Sequence, residues 1–286
     1  MDFRGSEERR NPALCGVFIF PRSVMRKSHA FLLLLSFLAN NYSHADLLKG
    51  EEEYDKAILA SSQLQKILLE EKSHPIEKEE SARKEKLREA ILKSTATYKD
   101  NLETSAKLGF APAQHLLAYT LTFENPKNEK RICELLELAS HQGLLASSLA
   151  KRTSCSESRN IMKIIEAQQK ATHDIATSLS STDPYSRFYP IQAFQRPECE
   201  DLPSLGENPT LEEMTAALAA PKLSLAQFTA EAHFIVARYE KNLEAKDALQ
   251  HLSHAEESGC KSQHLINIKR NLTKRLEQQK LGTQKN

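Results

Sequence analysis

Tryptophan is missing from this chain, aromatic residues make up only 6% of it, and glycine occurs eight times in 286 residues. With 40% hydrophobic and 27% charged residues but so few rings, the composition reads as a helical, solvent-washed protein rather than a β-sandwich or a membrane protein. Charge of one sign is lacking as well: 39 Lys and Arg stand against 38 Asp and Glu, a formal +1. No basic field therefore marks a nucleic-acid or acidic-lipid partner. The catalytic templates are missing too: there is no P-loop, G-x-G-x-x-G, G-x-S-x-G or H-E-x-x-H. Carboxylates are plentiful, but Glu51–Glu53, Glu70–Glu71 and Glu79–Glu80 lie in hydrophilic helical runs, where nothing would shift a carboxyl toward acid–base work. The expectation is a chain with no cofactor and no catalytic set.

What is present begins with residues 25–45. Arg26 and Lys27 form a short positive region, Ala30–Ala39 is a ten-residue apolar core, and Ser43-His44-Ala45 offers small residues where a signal peptidase reads. This pattern predicts a signal peptide cleaved between Ala45 and Asp46. Ten apolar residues fall short of the roughly 20 that span a bilayer, so no stable membrane insertion is expected after cleavage. Residues 1–24 show neither helical nor strand period and contain two prolines, which suggests that translation starts at Met25 and that 1–24 is a mis-called extension. From Asp46 onward, six of the basic and three of the acidic residues are gone, leaving 33 against 35 and a formal −2. The expected compartment is the periplasm or the outside of the cell.

Helical periodicity then runs almost throughout, and strand alternation is nearly absent. Residues 47–71 place Tyr54, Ile58, Leu64, Ile67 and Leu68 on one side. After the break at Ser73-His74-Pro75, Ile76–Lys107 reads as a long helix or two close ones, its charge-rich first half a solvated face. Three later stretches share a design: Ser105 to Gly109, Ala139 to Gly143 and Ala255 to Gly259 each put a small residue four positions before a Gly, with a helix following. Gly109 and Gly143 are 34 residues apart, a period typical of stacked helix pairs. A Gly just past a helix end takes the left-handed conformation that closes such a turn. Small residues at 106, 113, 118, 139 and 146 would let paired helices approach closely.

Ala106 to Tyr119 closely follows the pattern Ala-x-x-Gly-x-Ala-x-Ala-Gln with an apolar helix carrying a Tyr. Ala232–Gly259 supplies the sequel, with Tyr239, Lys246-Asp247-Ala248-Leu249 and a closing Ala-x-x-x-Gly. These residues resemble the Sel1-like repeat, a relative of the tetratricopeptide repeat. The chain departs from the pattern by lacking a Gly at 124–128, by Leu136 where an aromatic is usual, and by uneven spacing from Gly143 to Gly259. The resemblance implies an all-α fold of antiparallel helix pairs stacked as a short, irregular α-solenoid. It comprises a block over 46–179, a Pro/aromatic-rich connection over 180–210 and a second block over 211–286. It also implies an adaptor that holds a peptide or protein. A cell-wall or β-lactam hydrolase and a structural or toxin-neutralising partner are the other readings.

The connection holds five prolines, at 184, 190, 197, 203 and 209, which exclude a continuous helix. Its rings either pack back over the solenoid or face a partner, and Tyr185, Phe188 and Tyr189 are the candidates for partner contact. Thr210 with Glu213 three residues on is a helix start. Cys133, Cys155, Cys199 and Cys260 follow the leader, and export favours bridges over a zinc site, which would want a C-x-x-C that is not there. Cys133 begins one helix and Cys155 ends the next, so an antiparallel pair brings them together. Cys260, at a turn, is left for Cys199. His251 and His254 share a helix face that His264 could approach, but an exposed polar face is the preferred reading, and no metal is expected.

Overall fold

The computed structural model describes residues 49–73, 81–124, 128–155, 160–201, 206 and 209–283. The leader with its Ala45–Asp46 cleavage point, the start at Met25 and the 1–24 stretch lie outside the described residues. The chain divides into a larger unit, Asn40–Asp201 with Ala220–Asn286, and a smaller one, Met1–Ala39 with Leu202–Ala219.

In the larger unit the helices are α1 (Glu51–Ser73), α2 (Ser81–Lys107), α3 (Ala111–Glu124), α4 (Glu129–His141), α5 (Leu145–Ser154) and α6 (Ile161–Ser178). After α7 (Leu211–Leu218), which belongs to the smaller unit, come α8 (Leu225–Tyr239), α9 (Ala245–Glu257) and α10 (Gln263–Thr283). Each helix of the larger unit packs on its chain neighbour, and α8 packs on α6 and α5. The fold is all-α, with the pairs α1/α2, α3/α4, α5/α6 and α8/α9 stacked in order and α10 closing the end. The stack passes directly from α6 to α8, so residues on both sides of the Pro/aromatic connection share one unit.

The turns explain the pairing. Gly109, Gly143 and Gly259 have φ of 91°, 90° and 106°. At each, two backbone bonds close the helix end: Gly143 N–H to Ser140 at 2.9 Å and Leu144 N–H to Ala139 at 3.2 Å, with the same pattern from Gly109 and Gly259. That is the Schellman closure, and its following residue is apolar and buried each time: Phe110, Leu144 and Cys260. Ala106, Ala113, Ala118, Ala139 and Ala146 are all buried, which gives the close helix approach its small side chains.

Two of the side-chain-capped helix starts are reciprocal boxes. Ser224 and Gln227 form a reciprocal box at α8. Within the smaller unit, Thr210 N–H donates to Glu213 Oε2 at 2.7 Å and Glu213 N–H to Thr210 Oγ1 at 3.2 Å, opening α7. A two-residue antiparallel ladder, β1 (Ile191–Gln192) with β2 (Lys222–Leu223), was not legible in the sequence because neither strand is long enough to show a period. Among the described residues, no helix is long and apolar enough to cross a membrane.

A Cβ at Gly143 would meet Pro184 Cδ at 3.1 Å, whereas one at Gly109 meets nothing within 4 Å. Gly109→Ala should therefore cost only the backbone strain, about 1 kcal/mol. Gly143→Ala should cost clearly more, which urea midpoints of the two variants will compare.

Candidate functional site

The first helices of the four pairs, α1, α3, α5 and α8, present one face to residues 183–201. A helix uses its own backbone groups internally, so an extended segment buried against it must be satisfied by side chains. Asp183 does this at the segment's start. Its Oδ1 accepts from Tyr185 N–H at 2.8 Å, and its Oδ2 accepts from Leu145 N–H at 3.0 Å and from the Tyr189 hydroxyl at 2.6 Å. Leu145 is the first residue of α5, so a carboxylate from a distant part of the chain sits at that helix's positive end. Burial and the Asp183 charge push the Tyr189 hydroxyl far above its ordinary range.

At mid-segment His115 of α3 takes over. Its Nε2 lies 2.7 Å from the Gln192 carbonyl, which can only accept, so Nε2 carries the proton and Nδ1 accepts from Ser147 Oγ at 2.9 Å. Burial pushes the imidazole down to about 4, with the Gln192 bond opposing. Ser147 and His115 have the composition of a nucleophile–base pair, but both are fully buried and the proton sits on the nitrogen facing a carbonyl. At the far end Glu231 of α8 accepts from Glu198 N–H at 2.9 Å and Cys199 N–H at 2.8 Å. Burial pushes its carboxyl up to about 7, partly offset by those two N–H groups. Glu198 in turn accepts from Arg238 Nη1 at 2.6 Å and the Tyr239 hydroxyl at 3.0 Å, and pairs with Arg152 Nη1 at 3.5 Å.

The four cysteines stand in two pairs at disulfide distance. Cys133 and Cys155, on α4 and just beyond α5, have Cα atoms 5.4 Å apart, and Cys199 and Cys260 have theirs 5.1 Å apart. The second pair fastens the end of the segment to the turn before α10.

Of the two readings of the connection's aromatics, packing is what the geometry shows. Tyr185 is 2% exposed, and its hydroxyl donates to Gln142 Oε1 at 3.1 Å. Phe188 sits edge-on to Phe110 at 4.9 Å and Tyr54 at 6.1 Å, and Tyr189 edge-on to Phe228 at 5.6 Å. Tyr185 is therefore a core residue, while Phe188 and Tyr189 pack against the same helices half-buried. A short segment with this many rings lowers its free energy by covering a helix face that would otherwise be wet.

The ring that joins His251 and His254 is that of His233 on α8, not His264, which is exposed on α10. His233 Nδ1 lies 2.8 Å from His251 Nδ1, and its ring centroid lies 5.2 Å from that of His254. Among the described residues, no group of three or more His, Cys, Asp or Glu is placed to hold a metal ion. Compared with known proteins, the chain matches no protein-family model, no curated protein and no solved structure.

Tyr185→Ala should destabilise the fold by about 3–5 kcal/mol, the range for a buried ring, read from chemical denaturation. Acid should also weaken the fold. Burial and the neighbouring imidazoles push His233 down to about 4, so the unfolded chain, near 6.5, binds its proton first. That stability is fully present above pH 6.5 and is lost as pH falls toward 4. His115 acts in the same sense and Glu231, raised toward 7, in the opposite one. His233→Gln should lose less stability than the parent between pH 6.5 and 4 in parallel denaturation series.

Proposed function

We propose that the chain is an exported, Sel1-like interaction module that holds a protein or peptide partner in the bacterial envelope or outside the cell. The leader pattern of residues 25–45 and two cysteine pairs at disulfide distance support export. The 34-residue spacing and the same Schellman closure at Gly109, Gly143 and Gly259 support the repeat relationship. The observation that carries the binding half is apolar surface at the start of α6. Ile161 and Met162 are 69% and 60% exposed, with Ile165 exposed one turn on. Neighbouring exposed apolar residues mark interaction surfaces.

Intact mass of the protein recovered from the cell envelope, with thiol alkylation before and after reduction, tests the first half. The expected species starts at Asp46 and has no alkylatable thiol until reduced. A chain retaining residues 1–45, or four free thiols, removes the export reading. A photo-crosslinking residue at Met162 should then capture a discrete partner that the same residue at exposed Lys170 does not. Equal capture at both positions removes the binding surface.

A further inference from the structure

Helices α9 and α10 are buried by an apolar cluster of their own. Cys199, Phe234, Leu252, Ala255, Cys260 and Leu265 belong to it, while the main core reaches α8 through Phe228, Ala232 and Ile235. α8 thus serves two cores, and the one it shares with α9 and α10 is the smaller. A unit with a small core of its own opens separately from the rest, at a lower cost than global unfolding.

The polar tie between α8 and α9 is a pair of imidazoles. His233 of α8 and His251 of α9 have their Nδ1 atoms 2.8 Å apart. One Nδ1 must carry the proton and the other must accept it, so the two neutral rings hold opposite tautomers. A protonated imidazole has donors alone, so a proton on each ring sets N–H against N–H at that distance. His254, one turn from His251, brings a third ring within 5.2 Å of His233, and its Nδ1 lies 3.2 Å from Glu257 Oε2.

The surroundings do little to hold positive charge there. Burial and the neighbouring imidazoles push both His233 and His251 below their ordinary range. The carboxylates that oppose this, Glu257 toward His233 and Asp247 toward His251, are exposed residues of α9, where solvent and salt screen them. The charged groups of the other packed elements are engaged elsewhere. On α8, Glu231 holds the segment's backbone, Arg238 pairs with Glu198, and Glu240 lies 3.8 Å from His173 of α6. Arg152 of α5 also pairs with Glu198, and on α10 Lys269 pairs with Glu256 while His264 is exposed. A tether spans the same boundary. The Cys199–Cys260 pair, with the Gln263 N–H donating to Asp201 Oδ1 at 3.0 Å, fastens the turn between α9 and α10 to the segment.

We infer that His233, His251 and His254 form an acid-sensitive latch between α8 and α9. Protonation of the two facing rings breaks their bond, and α9 and α10 open from α8 about the Cys199–Cys260 tie while the main core stays folded. Opening bares Phe234 and Leu252, which the closed form buries completely. The latch does not depend on the partner reading above.

Amide hydrogen exchange of the intact, disulfide-bonded protein tests it, read by mass spectrometry at about pH 7 and about pH 5 and corrected for intrinsic rates. Peptides of α9 and α10 should exchange ahead of those of α3 and α4 at both pH values. Their corrected rate should rise on the order of tenfold with acid, because the open form takes up the His233 proton near 6.5 and the closed form at about 4. In His233→Gln that rise should disappear from α9 and α10 yet persist in α3, where His115 still gains a proton on unfolding. His251→Gln, which removes the facing ring, should reduce the rise. Unchanged protection of α3 and α4 at neutral pH shows that a variant is folded, and if one is not, the other decides. Exchange of α9 and α10 only in step with α3 and α4, or an acid rise that the folded variants keep in full, overturns the proposal.

Discussion

The structure turns on satisfying an extended backbone against helices whose backbone groups, beyond their first turns, are already used within the helix. Residues 183–201 cross the first helix of every pair, and at α5, α3 and α8 the crossing is met by a buried polar side chain: Asp183 itself, His115 and Glu231, in that order. This accounts for Asp183, His115 and Glu231 in a core built mostly of alanine, leucine, isoleucine and phenylalanine. Gln114 and Gln142 continue the pattern, linking the Tyr185 hydroxyl to the Ala106 carbonyl through 3.1, 2.9 and 3.2 Å contacts. Breaking one partner of such a bond leaves the other buried and unsatisfied, at about 1–3 kcal/mol. The network therefore fixes the register of the segment more strongly than its net stabilisation implies.

That arrangement also explains how an irregular stack holds together. In a regular solenoid each pair touches only its neighbours, and stability is a sum of local interfaces. Here the segment adds contacts that skip along the stack, from Glu51 and Tyr54 on α1 to Tyr239 on α8. The Cys199–Cys260 pair closes a separation of 61 residues and Cys133–Cys155 one of 22, each contributing on the order of 2–4 kcal/mol. Lys151 of α5, set between Glu137 of α4 and Asp174 of α6, ties three consecutive helices through a largely buried ammonium. Non-local ties of this kind make exact repeat spacing unnecessary between Gly143 and Gly259.

What the sequence disclosed were features written locally. The small-residue-then-glycine closures, the Thr210 and Glu213 cap and the helix pairs all depend on residues within a few positions of one another. The Cys133–Cys155 pair was legible because antiparallel pairing is itself a local rule, whereas Cys199–Cys260 spans 61 residues and was read only as the pair that remained. The candidate site was not. His115 sits beside Gln114 on the buried stripe of Ala111–Glu124, and Glu231 lies between Ala230 and Ala232 on that of Leu225–Tyr239. Their partners lie 77 and 32–33 residues away, a relation no periodicity carries. The one available signal was that a charged or titratable side chain on an otherwise buried helix stripe needs a partner. Counting the aromatics of 185–194 toward packing rather than toward a partner follows from the same principle.

The filled face has a consequence for function. On a bare solenoid the first-helix face is where an extended peptide would lie; here the chain's own segment occupies it, gripped at backbone N–H groups and at the Glu198 carboxylate. Ser147 and His115 are sealed beneath it, so their pairing serves the core. Surface left for contact then lies outside that face, as at the exposed apolar residues that open α6. Guanidinium and hydroxyl groups of α5 and α8 hold the Glu198 carboxylate, so the far end of the segment is fixed on the stack by charge as well as by its backbone.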